Sequence, residues 1–155
     1  MATEPLPTPT RVPRPAARIL LVDGSGRVLM LRFTPADRPP LWCTPGGAVD
    51  AGESYAAAAR RELWEEVGFD RDCGPEVARR VVEFTTFEGV EVIADERYFR
   101  LDIDRWDVAA GALTPLEQRV LAGWRWFSPA ELAEHDEAFF PADLAQLLAD
   151  TAPGR

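Results

Sequence analysis

The chain has 155 residues, 46% of them hydrophobic and 28% charged, the length and balance of one globular domain with its own core. Its formal net charge of -9 excludes a basic face or stripe for a nucleic-acid polymer. It leaves room for a polyphosphate substrate, because bound divalent cations invert the sign of a local site. All 17 basic residues are arginine, so lysine chemistry, whether Schiff base or Walker-type phosphate contact, is ruled out. No apolar run reaches the length of a membrane span, and no signal-peptide core is visible. Cys43 and Cys73 form neither a CxxC motif nor a disulfide framework, so a reducing cytoplasm is the expected compartment.

Residues 1–15 contain five prolines and read as a flexible arm, leaving 16–152 as a single domain. "ARILLV" and "RVLMLRF", joined by the turn-rich "DGSG", predict a β-hairpin. The "GSG" there lacks the lysine of a phosphate loop. A proline-rich loop and the short "LWCTP" segment then lead to Gly46 and Gly47.

"SYAAAARRELWEEV" predicts a helix with Ser54 as N-cap and Gly68 as the residue that ends it. At 100° per residue Ala56, Ala59, Leu63 and Val67 form the core stripe. Glu62, Glu65 and Glu66 crowd an arc of roughly 100°, with Ala58 leaving space in that sector. Like charges at this spacing destabilise a helix by a few tenths of a kcal/mol and call for a cationic partner.

Farther on, "VARRVVEFTTF" and "VEVIADERYFRLDI" predict a second hairpin, and 102–123 a long connection. "WRWFS" reads as a final strand with Trp124 and Trp126 on one side. Two helices follow, "SPAELAEH" with Ser128 as N-cap and Pro129 at N1, and "PADLAQLLAD". The mixture predicts an α/β sandwich with a mixed sheet.

The glutamates beside a Gly-Gly bend make an oxygen-rich cage suited to Mg²⁺ or Mn²⁺. Glycine lets the backbone approach, so the Gly46 carbonyl is a candidate ligand. Glu53 precedes the helix, and Arg61 is placed to orient or neutralise the acids.

The whole pattern resembles the signature of the Nudix hydrolases, G-x5-E-x7-R-E-U-x-E-E-x-G-U, where U is bulky and apolar. Gly47, Glu53, Arg61, Glu62, Leu63, Glu65, Glu66, Gly68 and Phe69 fill every specified position. "LWCTPGG", "ERYF" and "WRWFSPAEL" resemble family features outside the box.

The resemblance implies a Nudix-type α/β/α sandwich and a divalent-metal-dependent hydrolase of a nucleoside diphosphate linked to another moiety. Such a nucleotide pyrophosphatase directs water at phosphorus. By position Glu62, Glu65 and Glu66 would bind metal, with Glu53 joining or orienting them. The base is either Glu62 or a loop acid, for which Glu117 is the candidate ahead of Glu96, Asp102 and Asp104. Arg32 is a candidate phosphate contact. Trp42, Phe87 and Tyr98 are candidates for stacking on a base, with core packing as the alternative. His135 is expected at the surface. Marks of the NADH, coenzyme A, ADP-ribose and dinucleoside polyphosphate subfamilies are missing, so a nucleoside triphosphate or a modified nucleotide remains the broadest substrate expectation.

Two other classes stay open: a catalytically inactive Nudix-like ligand sensor or protein-binding module, and a prenyl diphosphate isomerase. Metal-dependent phosphate release separates both from a hydrolase. A homodimer is open too, through the tail, the tryptophan pair or the late helices.

Overall fold

The computed structural model describes residues 10–154. Eight strands and four helices run in the order β1 (Val12–Val22), β2 (Val28–Phe33), β3 (Leu41–Cys43), β4 (Gly46–Ala48), α1 (Tyr55–Val67), β5 (Glu76–Thr85), β6 (Glu91–Asp102), α2 (Pro115–Val120), β7 (Leu121–Phe127), α3 (Pro129–Glu134), β8 (Ala138–Phe140) and α4 (Leu144–Asp150). The main path of the mixed sheet is β5-β6-β1-β2-β3-β8, with β4 added to β1 and β7 to β2. β1 lies parallel to β6 along its whole length, and β3 parallel to β8; the other pairs are antiparallel.

The hairpin predicted around "DGSG" forms. Asp23 fixes its turn by accepting the amides of Ser25 (3.0 Å) and Arg27 (2.9 Å), a local side-chain turn device. β1 and β2 meet only at Val22 opposite Val28. Nearer its start β1 pairs with β4 instead, Ala16 to Arg18 facing Ala48 to Gly46. That branching curls the sheet and brings the Gly46–Gly47 bend to the middle of β1.

The strand claims more of the chain than expected. Of the arm predicted over 1–15, residues 1–9 lie outside the described residues, but Val12 to Pro15 are the start of β1. Prolines are tolerated there because of strand parity. The Pro15 carbonyl accepts from Val49 and the Ile19 amide donates to Pro45, so odd-numbered residues turn their backbone groups away from β6. Pro13 and Pro15 therefore lack donors that the β1–β6 ladder does not use.

Two buried clusters sit on opposite faces of the sheet. On one, α1 packs Ala58, Ala59, Leu63 and Val67 against Ala17, Ile19, Leu21 and Phe99. On the other, α3 and α4 bring Leu132, Leu144 and Leu147 against Leu20, Met30, Tyr98 and Phe127. The alternation along β1 that sends Ile19 one way and Leu20 the other is the period of a strand buried on both faces. The result is the α/β/α arrangement.

α1 has its expected caps, with Ser54 accepting from Ala57 N and Gly68 at φ 80°. Its core stripe is displaced. Ala56 is exposed, whereas Ala58, Glu62 and Glu66 join Ala59, Leu63 and Val67 in the interior, because Gly46 and Gly47 let β4 close on that side of the helix. The 102–123 connection contains α2 and the start of β7. β7 is not the last strand, since β8 follows it. His135 is largely covered, its ring edge-on to Trp42 (5.6 Å) and Phe127 (5.2 Å), not at the surface.

No helix among the described residues is long and apolar enough to cross a membrane. Leu63→Ala is expected to lower unfolding free energy by about 3 kcal/mol, measured by denaturant titration. Ala56→Ser at the exposed position is expected to change it by about 0.5 kcal/mol or less.

Candidate active site

Two glycines let the acidic helix close on the sheet. Gly46 has φ 140°, and a Cβ there would lie 2.1 Å from the Ala17 carbonyl oxygen, so only glycine fits. A Cβ on Gly47 would come within 2.8 Å of Glu62 Oε1. The bend thus leaves its volume to carboxylates. The Gly46 amide donates to Glu66 Oε1 at 2.7 Å, and this carboxylate is buried. The Gly46 carbonyl accepts from Arg18 Nη1 at 3.2 Å, which leaves one lone pair for another ligand.

Arg61 is the hub of the remaining acids. Its guanidinium grips Glu53 through two bonds of 2.8 Å, and reaches Glu62 at 2.9 Å and Glu65 at 3.2 Å. A further bond to the Ala48 carbonyl (3.0 Å) fixes it to β4. Such charge-assisted contacts orient carboxylates as well as neutralising them. Bonding to Arg61 draws the Glu53 carboxyl below its ordinary pKa.

The loop before α2 brings in one more acid. Gly111 N donates to the carbonyls of Trp64 and Glu65, Ala112 N to Glu65 O, and Ala109 N to Val67 O. These carbonyls belong to the last turn of α1, where a helix has none of its own donors. A Cβ on Gly111 would sit 2.5 Å from the Trp64 carbonyl, so the docking needs glycine. From this anchor Thr114 and Glu117 close a capping box at the start of α2, and Glu117 comes to lie against Glu66.

Glu62, Glu66 and Glu117 each present a carboxylate oxygen, all within 4.8 Å of one another. Burial, then the neighbouring Glu62, hold the Glu66 carboxyl well above the usual carboxylate range, with Glu117 adding to the shift and the Gly46 amide opposing it. Burial also raises the Glu62 carboxyl, against the pull of Arg61. An all-oxygen donor set crowded to this degree suits a hard divalent cation. The residues fit Mg²⁺ or Mn²⁺.

Of the residues singled out in the sequence, Gly46, Glu53, Arg61, Glu62, Glu65, Glu66 and Glu117 are brought together in one place. Their grouping differs from expectation. The half-buried Glu117 completes a triad with the buried Glu62 and Glu66, and Glu65 stands outside it on Arg61.

Arg32 and Trp42 are brought to each other instead. Arg32 holds Glu137 through bonds of 3.1 and 2.8 Å, and Trp42 Nε1 donates to the same carboxylate at 2.9 Å. Arg32 pulls the Glu137 carboxyl down to about 2. Trp42 is buried against Phe127, on the sheet face opposite α1, and has no free ring face for a base. Tyr98 is buried there as well, while Phe87 packs on Phe33. Glu96 is paired with Arg18 at 2.8 Å and Asp102 with Arg100 at 3.0 Å. Neither they nor Asp104 join the triad.

Sequence reasoning missed Arg18, which touches the Gly46 carbonyl from mid-strand, and Gly111. The glycine in "GALTPLEQ" was a usable signal, since it stands just ahead of a Thr-x-x-Glu cap.

A family profile for the NUDIX domain matches residues 12–148. The chain is similar to the RNA pyrophosphohydrolase of Roseobacter denitrificans, 29% identical over 136 residues that cover 79% of this chain and 81% of that one. It is similar to a putative 8-oxo-dGTP diphosphatase of Bacillus subtilis over 54 residues at 39% identity, 35% of this chain and 34% of that one. Among solved structures, a MutT protein from Methanosarcina mazei Go1 superposes with a TM-score of 0.64 at 21% identity, covering 92% and 94% of the two chains. With the profile spanning most of the sequence and the fold shared, the chain belongs to the NUDIX family and is a Nudix hydrolase.

Proposed function

We propose that this hydrolase cleaves a phosphoanhydride bond in a nucleoside diphosphate linked to another moiety, using Mg²⁺ or Mn²⁺ held by Glu62, Glu65, Glu66 and the Gly46 carbonyl, with Glu53 orienting the set. The carrying observation is the convergence of Glu62, Glu66 and Glu117 oxygens within 4.8 Å, an arrangement stable as charged groups only with cations among them. Bound there, divalent ions supply neutralisation and Lewis acidity at phosphoryl oxygens.

The chain's own residues do the rest. Arg61 keeps Glu53, Glu62 and Glu65 in register. Glu117 is the base proposed to take the proton from the attacking water: one of its oxygens is fixed by the Thr114 amide at 3.0 Å, so the carboxylate is held in place. Glu62 is the alternative, with one oxygen on Arg61. A nucleoside triphosphate or modified nucleotide is the proposed substrate. The Roseobacter relative supports a second reading, a 5′-phosphorylated RNA end, in which only the terminal nucleotide need enter the site of this acidic protein. An inactive sensor is disfavoured because every box position is filled.

Phosphate and nucleotide release with Mg²⁺ or Mn²⁺ tests the reading across nucleoside triphosphates, oxidised nucleotides, dinucleoside polyphosphates, ADP-ribose, nucleotide sugars and a 5′-triphosphate RNA oligonucleotide. Activity with one class, abolished in Glu66→Gln, is the expected outcome; metal-independent release would overturn it. Glu117→Gln is expected to lower kcat by about 10²–10⁴-fold while keeping the metal-induced rise in Tm. Glu66→Gln is expected to lose both. If Glu62→Gln lowers kcat at a retained metal response and Glu117→Gln does not, the base is Glu62.

The buried acids also set a pH dependence. Glu62 and Glu66 have folded pKa values raised above those of the unfolded chain, so the native state binds more protons. Their contribution to metal-free stability is fully present below the ordinary carboxylate range and is lost as pH rises toward the folded values. Melting in chelator at pH 5 and pH 7 is expected to show the lower Tm at pH 7, with a smaller difference in Glu66→Gln. Added Mg²⁺ is expected to raise Tm more at pH 7, since protons compete with the metal.

A further inference from the structure

One end of the sheet carries a long unpaired edge. Among the described residues β5 pairs only with β6. Three of the eight large apolar side chains left exposed, Val77, Val81 and Val82, stand on it. Free strands of this length and character are a template for another strand.

The phase of the edge follows from its hairpin. Thr86 N donates to Val90 O and Gly89 N to Thr86 O, so Thr86 faces its partner with both backbone groups. The register holds from Thr85 opposite Glu91 to Arg79 opposite Arg97. Antiparallel ladders alternate, and Phe84, Val82 and Arg80 therefore face β6. Arg79, Val81 and Glu83 turn their amides and carbonyls outward, with their side chains on one face.

Those three residues are self-complementary. We propose that β5 docks a second copy of this chain, antiparallel and centred on Val81, to form a two-fold dimer with a continuous sheet. Val81 then meets the partner's Val81, Arg79 meets the partner's Glu83, and Glu83 meets the partner's Arg79. The same contact recurs on both sides of the axis, as an isologous interface requires. Centring the pairing on Arg79, Arg80 or Glu83 would set like charges opposite each other at the axis, and centring on Val82 would leave Arg79 and Glu83 without an opposite charge, so the charge pattern favours the Val81 register.

Both charges are available. The Arg79 side chain is 56% exposed and bound to Asp95, and that of Glu83 is 61% exposed at 3.4 Å from Arg11. One internal contact must give way: Arg80 Nη1 now donates to the Arg79 carbonyl at 2.9 Å, and it turns aside when the partner's amide takes that place.

Sedimentation velocity of the full chain over a concentration series tests the interface, with Glu83→Arg, Arg79→Glu and their equimolar mixture. Circular dichroism and melting establish that each variant is folded. The wild type is expected to dimerise reversibly. Each variant alone sets like charges opposite and is expected to weaken dimerisation about tenfold or more. The mixture regains the dimer, because each variant then faces opposite charges. Val81→Arg, at the axis, is expected to give the same loss while leaving both ion-pair partners in place. A wild type that is monomeric at every concentration overturns the proposal. So does a dimer indifferent to Glu83→Arg and Val81→Arg, or a mixture no tighter than its components.

Discussion

The contact on which the rest of the molecule depends is the hydrogen bond from the Gly46 amide to the buried Glu66 carboxylate, 2.7 Å long. It joins the acidic helix to β4, and β4 is fixed to the middle of β1 by pairing from Ala16 to Arg18. An amide donor is the least that a buried carboxylate requires, since burial without a partner is far more costly. The close approach that makes the bond also fixes the residue at 46, because a Cβ would run into the Ala17 carbonyl. One backbone position thus sets both the docking of α1 and the depth at which its acids lie.

Depth has an electrostatic consequence. Glu62 and Glu66 are in the helix interior alongside Ala58, Ala59, Leu63 and Val67. Desolvation and mutual repulsion therefore act on the same groups that the sheet contact holds in place. Arg61 relieves Glu53, Glu62 and Glu65, but not Glu66. The innermost carboxyl is left with the Gly46 amide and with Glu117, a neighbour that raises its proton affinity.

Much of this was legible in the sequence because it is carried by local signals. Ser54, Gly68 and the box spacing mark α1 and its acids without tertiary information, and the turns at "DGSG" and "EG" mark both hairpins. What was not legible depends on partners distant in the chain. Ala56 and Ala58 differ in burial because β4, held on β1 by pairing, closes on the Ala58 side of the helix. Pro13 and Pro15 read as a loose arm, since whether a missing amide matters depends on which edge of the strand it faces. Arg32 and Trp42 are the types of residue that contact nucleotides, but Glu137, about a hundred residues away in sequence, forms hydrogen bonds with both. Composition cannot reveal such a pairing. Glu117 lay between these extremes: its cap is local, and its place beside Glu66 rests on Gly111 fitting against Trp64.

The crowding of like charge on α1 can now be resolved into two layers. In the outer layer a permanent cation, Arg61, binds Glu53 and Glu65 and reaches inward to Glu62. Among the described residues the inner layer of Glu62, Glu66 and Glu117 has no side-chain ion pair beyond the single Arg61 bond to Glu62, and burial raises the proton affinity of Glu62 and Glu66. Protons are exchangeable in a way that a guanidinium tethered to the Ala48 carbonyl is not. The division keeps the architecture intact while the inner charge balance changes. Arg61 holds Glu53 and Glu65 in place, and in the proposed function Glu62 and Glu66 offer oxygens with which a small, hard cation replaces a proton, with Glu117 beside them as base.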